Sequence, residues 1–349
     1  MKLFSLQSIK KPSHPPLEFG NIPVAQVDNT KHLGLTVDEK LIFKEHFLAS
    51  VDKAKKGLSL MKLLSNYVNR KTLILTYFMH VRPHLEYGDV IFHDCAKYLM
   101  DTLESIQYQA GLICTGCWKN TSQKKLYQEL GWESLDVRRH NRRIILYHKI
   151  KSGNTPDYLA NYLLESHPPE NSTKRYLNSF FPYCHSFWEI LDPVVKELQP
   201  SQFKHLIKKL SRVAGSQHFN FKDKYGFKLL TCLRVDHSDL RDHRFKKKFN
   251  CHSPVCKCSL ENESTEHYLL RCPNMLQPRS VLLEKIKLVS GFDTDSMPES
   301  DFSKLLLYGD SKLTNKQNFL IIQATIEYIR KSKRFLKFEA YLNSPTAPD

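Results

Sequence analysis

The chain is 349 residues long, 41% hydrophobic and 25% charged, enough for a packed core and two or three domains. Lys and Arg number 52 against 36 Asp and Glu, a net charge of +16, which favours polyanionic partners, either nucleic acid or an anionic membrane surface. There is no apolar run of about eighteen residues and no signal-peptide core, which argues against a bilayer-spanning helix and against secretion. The expected location is therefore intracellular, nuclear or cytoplasmic. Nine scattered cysteines read as reduced thiols plus one metal site rather than a disulfide framework.

Met1–Pro16 reads as a frayed start or a truncation scar. Leu17–Val27 and Lys31–Val37 read as two strands joined by the turn residues Asp28-Asn29-Thr30. Phe47, Val51, Ala54, Leu58, Met61, Leu64 and Val68 then recur at gaps of three and four, the period of an amphipathic helix. A second helix starts near Lys71 and is kinked or reset by Pro83. A third spans about Ala96–Cys117, a fourth Ser122–Leu130 with Gly131 as its stop, and a fifth Leu135–Lys151. Short connections suggest one antiparallel bundle. A short helix follows Pro156, and Glu165–Tyr183 reads as a loop around His167-Pro168-Pro169. Beyond it come a helical unit at Ser186–Val213, helical pieces at Lys228–Leu233 and Leu240–Lys247, a helix at Ser280–Ser290, a polar loop at Gly291–Ser300, and a terminal helix at Asn315–Leu342. The tail from Asn343 reads as disordered.

Cys256, Cys258, His267 and Cys272 have the spacing C-x-C-x8-H-x4-C. Three thiols and an imidazole can close a tetrahedral shell around structural Zn²⁺. The close Cys256–Cys258 pair suits a tight turn. Because His267 and Cys272 lie five residues apart, the helix between them must end or bend. Cys251 and His252 are spare donors that could replace one ligand. Four protein ligands leave no open position for hydrolysis.

Arg138, Arg139, Arg142 and Arg143 share one face of the fifth helix, and no acid occurs from Val137 to Lys151. Such a face can lie along phosphates, be merely solvated, or be buried against acids from elsewhere. Arg241, Arg244, Lys246, Lys247 and Lys248 are interleaved with Phe245 and Phe249. That mixture suits single-stranded nucleic acid, where charges track phosphates and rings stack on bases. Alternatively, both rings belong to the core. No catalytic constellation is present. Asp236-His237-Ser238 are merely adjacent, whereas a triad needs convergence in space.

Several stretches, in order, resemble the reverse transcriptases of non-LTR retrotransposons of the jockey type. Lys31-His32-Leu33-Gly34-Leu35-Thr36-Val37-Asp38 resembles the strand closing the palm. Arg82-Pro83-His84-Leu85-Glu86-Tyr87-Gly88, Leu103-Glu104-Ser105-Ile106-Gln107, Gly131-Trp132-Glu133-Ser134-Leu135 and Arg138-Arg139 resemble the thumb region. Leu229-Leu230-Thr231-Cys232-Leu233-Arg234, His243-Arg244-Phe245 and Glu266-His267-Tyr268-Leu269-Leu270-Arg271-Cys272-Pro273 resemble the C-terminal zinc-bearing segment, and Arg279 fits the arginine after it. Lys333-Arg334-Phe335 resembles the terminal helix. The family's paired palm aspartates, which hold two metal ions for phosphoryl transfer, have no counterpart here. The chain contains no Asp-Asp pair, and Tyr87-Gly88-Asp89 is only an echo.

The resemblance implies a mainly α protein with a palm-end β-ribbon (1–38), a thumb-like helical bundle (39–164), a linker and helical connector (165–223), a zinc-stabilised C-terminal module (224–342) and a tail (343–349). It also implies a nucleic-acid-binding C-terminal part of an RNA-directed DNA polymerase, with no activity of its own. RNA or DNA is the expected partner, a catalytic half could act in trans, and no membrane is involved. The alternatives are an inert retroelement remnant and a zinc-dependent protein-interaction module.

Overall fold

The computed structural model describes residues 18–25, 27–92, 95–163, 172–216, 219, 221–290 and 297–335. Several sequence expectations fall outside them: the start at Met1–Pro16, the loop residues 167–171, most of the Gly291–Ser300 loop, the terminal helix beyond Phe335, and the tail.

The chain is mainly helical, with two short hairpins at its start. Strand β1 (Glu18–Phe19) pairs with β2 (Ile22–Pro23), and β3 (Asn29–His32) pairs with β4 (Leu35–Asp38), both antiparallel. This corrects the expected single ribbon turning at Asp28-Asn29-Thr30. The second hairpin turns at Leu33-Gly34, with φ of +46° and +85°. A two-residue type I′ turn needs positive φ at both positions, and glycine meets that need without strain. Tyr87 Oη donates to the Leu33 carbonyl at 2.5 Å. The Asp38 carboxylate accepts from the backbone N–H groups of Lys40, Ile42 and Phe43, fixing the entry to the first helix.

The helices are α1 (Lys44–Leu64), α2 (Arg70–His80), α3 (Arg82–Glu86), α4 (Lys97–Thr115), α5 (Gln123–Leu130), α6 (Leu135–Lys151), α7 (Lys174–Asn178), α8 (Phe180–Glu189), α9 (Pro193–Lys196), α10 (Pro200–Leu210), α11 (Lys224–Arg234), α12 (Arg241–Lys246), α13 (Leu276–Ser290), α14 (Glu299–Tyr308) and α15 (Asn315–Lys331). Asp157–Tyr162 forms a 3₁₀ turn after Pro156. The α1 stripe Phe47, Val51, Ala54, Leu58 and Met61 is buried, as its period requires. Pro83 sits in the first turn of α3, where its missing N–H is tolerated. Gly131, at φ +67°, caps α5. Ser134 caps α6 by accepting from Val137 N.

Four boundaries differ from the sequence reading. Helix α7 and the start of α8 occupy part of the expected Glu165–Tyr183 loop; Pro182 lies in the first turn of α8 and is tolerated there. Helix α13 begins at Leu276, before Ser280. The sequence reading had no helix α14, although Phe302, Leu305 and Leu306 are buried at gaps of three and one, with Asp301, Lys304 and Tyr308 exposed. Helix α15 ends at Lys331, and Lys333 takes a left-handed φ of +51°.

The chain forms two compact units. Unit 1 comprises 1–66, 74–110 and 133–213. One of its cores packs Ile144 and Tyr147 of α6 with Cys184, Trp188 and Phe203. Unit 2 comprises 67–73, 111–132 and 214–349. Its core draws on α11, α13, α14 and α15, including Leu230, Ile286, Leu306, Ile321 and Ile322, each 0% exposed. Full burial of such a side chain contributes about 1.5–3 kcal/mol. Unit 2 also buries an ion triad. Glu129 accepts from Arg70 at 2.8 Å and from Arg234 at 2.9 Å, and Ser216 Oγ donates to the same carboxylate.

Candidate metal centre and basic surfaces

In unit 2 the metal-spaced residues converge. One donor atom from each of Cys256, Cys258, His267 and Cys272 lies within 4.8 Å of every other. Cys256 Sγ is 3.7 Å from Cys272 Sγ, and Cys258 Sγ is 3.3 Å from His267 Nε2. Tetrahedral bonds of about 2.3 Å to sulfur put two sulfurs about 3.8 Å apart. The donor set therefore fits a metal ion in both chemistry and spacing. Cys251 stands apart, with its thiol directed to the carbonyls of Ser253 and Arg241.

Local backbone builds this cluster. Ser259 N donates to Cys256 O and Cys256 N donates to Glu261 O, both at 2.9 Å, so Cys256 and Cys258 share one tight turn. The second pair rests on a different device. His267–Arg271 is a π-turn, closed by Cys272 N donating to His267 O at 2.7 Å. In an α-helix, residues five apart face different directions. The wider π geometry brings them toward one face, so His267 and Cys272 reach one point, and the helix ends there as their spacing requires, Cys272 leaving helical geometry at ψ 120° just before Pro273.

Outer contacts lock the ligands. His267 is fully buried and its Nδ1 lies 2.8 Å from Glu261 Oε1, the arrangement that orients a metal-ligating imidazole. Arg271 grips the same carboxylate at 2.8 and 2.9 Å. Hydrogen bonds from Arg271, and then from His267, hold the Glu261 carboxyl down to about 2. Arg279 donates to the carbonyls of Leu269 and Cys272, satisfying the π-turn's C-terminal acceptors. Buried Glu263, inside the cluster's loop, takes two hydrogen bonds from Arg334 and one from Arg241 N. Burial pushes the Cys256 thiol up to about 12, whereas the Leu260 N–H lowers Cys258. A bound cation would favour thiolate throughout.

The two basic stretches meet different fates. On α6 two of the four arginines, Arg138 and Arg142, pair with acids within unit 1. Arg138 Nε is 2.5 Å and Arg142 Nη2 3.0 Å from Glu86, and Arg142 also reaches Asp89 at 3.1 Å. Arg143 is 1% exposed, donates to Asn178 O and lies over the Tyr183 ring. Arg139 is 3% exposed. Burial pushes Asp89 up to about 6, against the opposing pull of Arg142. Near α12 the charges are more open. Arg244 pairs with Asp239 and Lys246 with Asp242, while Lys246 and Lys248 are exposed. Phe245 is exposed, whereas Phe249 stacks on His237 at 5.6 Å. Arg241 engages Glu263 through its backbone N–H.

No helix among the described residues is long and apolar enough to cross a membrane. No protein-family model and no solved structure matches the chain. It is similar to a probable RNA-directed DNA polymerase from transposon X-element of Drosophila melanogaster, 25% identical over 177 residues, covering 48% of this chain and 19% of that protein. It is also similar to a probable RNA-directed DNA polymerase from transposon BS of the same organism, 25% identical over 145 residues, covering 40% and 16%. The matches span less than a fifth of the length of these curated relatives. The similarity supports a distant relationship to retroelement polymerases.

Proposed function

We propose that this chain is the C-terminal part of a retroelement-type RNA-directed DNA polymerase, and that it binds RNA or DNA through its basic, metal-supported end. The observation that carries this reading is the similarity to two transposon polymerases in a chain whose converged Cys/His cluster adjoins a basic, aromatic stretch. In this reading 1–38 is the palm end, 39–164 the thumb, 165–223 a connector and 224–342 the zinc module. The ion is Zn²⁺, held by Cys256, Cys258, His267 and Cys272. With four protein ligands its role is structural, fixing the segment that follows Arg241–Lys248.

Lys246, Lys247, Lys248 and Arg244 supply phosphate contacts, and Phe245 a stacking surface. The α6 arginines are left out of this role because Arg138 and Arg142 are paired with acids and Arg139 and Arg143 are buried. No polymerase activity is assigned to the chain alone, since its sequence has no Asp-Asp pair to hold two catalytic ions. A catalytic half in trans would supply that chemistry.

Two assays on one zinc-loaded preparation test the reading. Binding of single-stranded RNA should weaken with salt at a log–log slope of about −0.7 per phosphate contact, and primer extension with Mg²⁺ and nucleotides should give no template-dependent product. Salt-independent binding, or polymerisation by chain freed of host polymerases, overturns it.

A further inference from the structure

Unit 2 holds a cavity of about 430 Å³ that shares no residue with the metal cluster or the α12 stretch. Two segments far apart in sequence line it: Tyr67, Asn69 and Thr72, at the start of α2, and Phe221, Lys222 and Lys224, at the entry to α11. Lys224 Nζ donates to the Tyr67 carbonyl at 2.8 Å and so ties the segments together across 157 residues. Each segment is also held in itself. Asn69 Oδ1 accepts from Thr72 N at 2.9 Å and from Thr72 Oγ1 at 3.1 Å, while Phe221 is buried and stacks on Phe319 at 4.9 Å.

The cavity is one-sided in charge. Lys222 and Lys224 are exposed and make no ion pair among the described residues, and no acid lines the cavity. Asp223 stands between them in sequence, but it is not part of the lining: its carboxylate accepts from Gly226 N at 2.8 Å and lies 3.5 Å from Arg330. Solvated lysines are ordinary and need no partner. Here they share a cavity with an open ring. Tyr67 is 77% exposed, and its side chain makes no hydrogen bond or ring contact among the described residues. A free aromatic face beside two cations suits single-stranded nucleic acid, where cations meet phosphates and a ring takes a base. The volume is in the range of sites for one small molecule.

We propose that this cavity takes one nucleotide of a single strand, with the base on Tyr67 and phosphate oxygens at Lys222 and Lys224. The proposal rests on the nucleic-acid function above and adds to it a contact outside the α12 stretch.

The test uses the full, zinc-loaded chain and a labelled oligouridine, read by anisotropy across a salt series. A strand of the same length without bases and a labelled polyglutamate are the comparisons. Lys222→Gln with Lys224→Gln should flatten the log–log slope by about 1.4, for two phosphate contacts. Tyr67→Ala should weaken oligouridine binding about 5- to 150-fold at unchanged slope and leave the baseless strand alone. Tyr67→Phe keeps the ring and should bind as wild type does. Lys224→Gln also cuts the tie to Tyr67; if the double variant melts early, Lys222→Gln alone decides, with a slope change of about 0.7. If Tyr67→Ala changes nothing, no base is seated there and the proposal falls whatever the lysines do; polyglutamate binding as tight as that of oligouridine would then make an acidic protein segment the occupant. If oligouridine binds the wild type and no variant moves it, the cavity proposal falls and the nucleic-acid function stands. If the wild type binds no strand, both fall together.

Discussion

The Cys/His cluster of unit 2 and the arginine-bearing helix α6 of unit 1 each carry four polar side chains, but their partners come from different distances along the chain. The cluster closes within Cys256–Cys272, using one tight turn and one π-turn. Helix α6 sets Arg138 and Arg142 against Glu86 and Asp89, about fifty residues upstream, and lays Arg143 over the Tyr183 ring. Local closure fixes geometry through the backbone, and its chemistry can be read from spacing. Distant closure depends on how helices pack, so the same charge run can end solvated, on a ligand or on hidden acids. Arg138 and Arg142 took the last course.

The largest effect separating the two should come from removing the metal. Structural zinc sites contribute about 10–16 kcal/mol of apparent binding energy in small peptides. Chelation, or Cys272→Ser, should unfold the 256–275 segment and leave the α6 region of unit 1 protected in hydrogen exchange. One zinc per chain by metal analysis completes this expectation. A metal-free protein in which the serine variant melts like wild type would sink it.

Glu86→Gln attacks the distant closure. It strips the charge partner from Arg138 and from one side of Arg142, in a site where Glu86 is 10% exposed. Breaking a fully buried pair costs about 3–5 kcal/mol; because Arg142 is partly exposed, the expected loss is nearer 2–3 kcal/mol. A chemical denaturation curve unchanged within error would mean that these pairs contribute nothing.

Asp89 gives that site a pH dependence. Its folded pKa of about 6 lies above the ordinary 3.8, so its contribution is fully present below about pH 3.8 and is lost as pH rises through about 6. Asp89→Asn removes the titration. Between about pH 4 and pH 7, the stability difference should therefore move in favour of the variant, by on the order of 2–3 kcal/mol. Denaturation series at both ends measure this, and a gap that stays constant with pH excludes it.

The smallest effect sharpens the local side. Glu261→Gln weakens the carboxylate that orients His267, and loss of such an outer partner typically lowers metal affinity about 10- to 100-fold. Competition with a chromogenic chelator should show this at unchanged fold. Equal affinity would assign Glu261 to Arg271 alone.

The legibility of the chain follows the same division. The period of Phe47, Val51, Ala54, Leu58 and Met61 gave α1, and Gly131 gave the stop of α5, because those signals lie within a turn or two of what they determine. Cys256, Cys258, His267 and Cys272 were legible for that reason too. Arg279, noted only by its resemblance, turned out to hold the carbonyls of the π-turn. Nothing local announced the triad of Arg70, Glu129 and Arg234, or the role of Glu263 in receiving Arg334. These pairs span 59 to 105 residues, and only packing joins them. Helix α14 is only ten residues long, and its buried stripe, Phe302, Leu305 and Leu306, covers little more than one turn, too short a stretch for a period to stand out.

The wide turn between His267 and Cys272 holds one residue more than an α-turn does. Losing one residue from 268–271 would let the segment relax to α geometry, where positions four apart still share a face, so both ligands could go on meeting the ion. Gaining one residue leaves no wider regular helix to adopt. Length variation in this short stretch should therefore be one-sided, tolerant of a deletion and intolerant of an insertion.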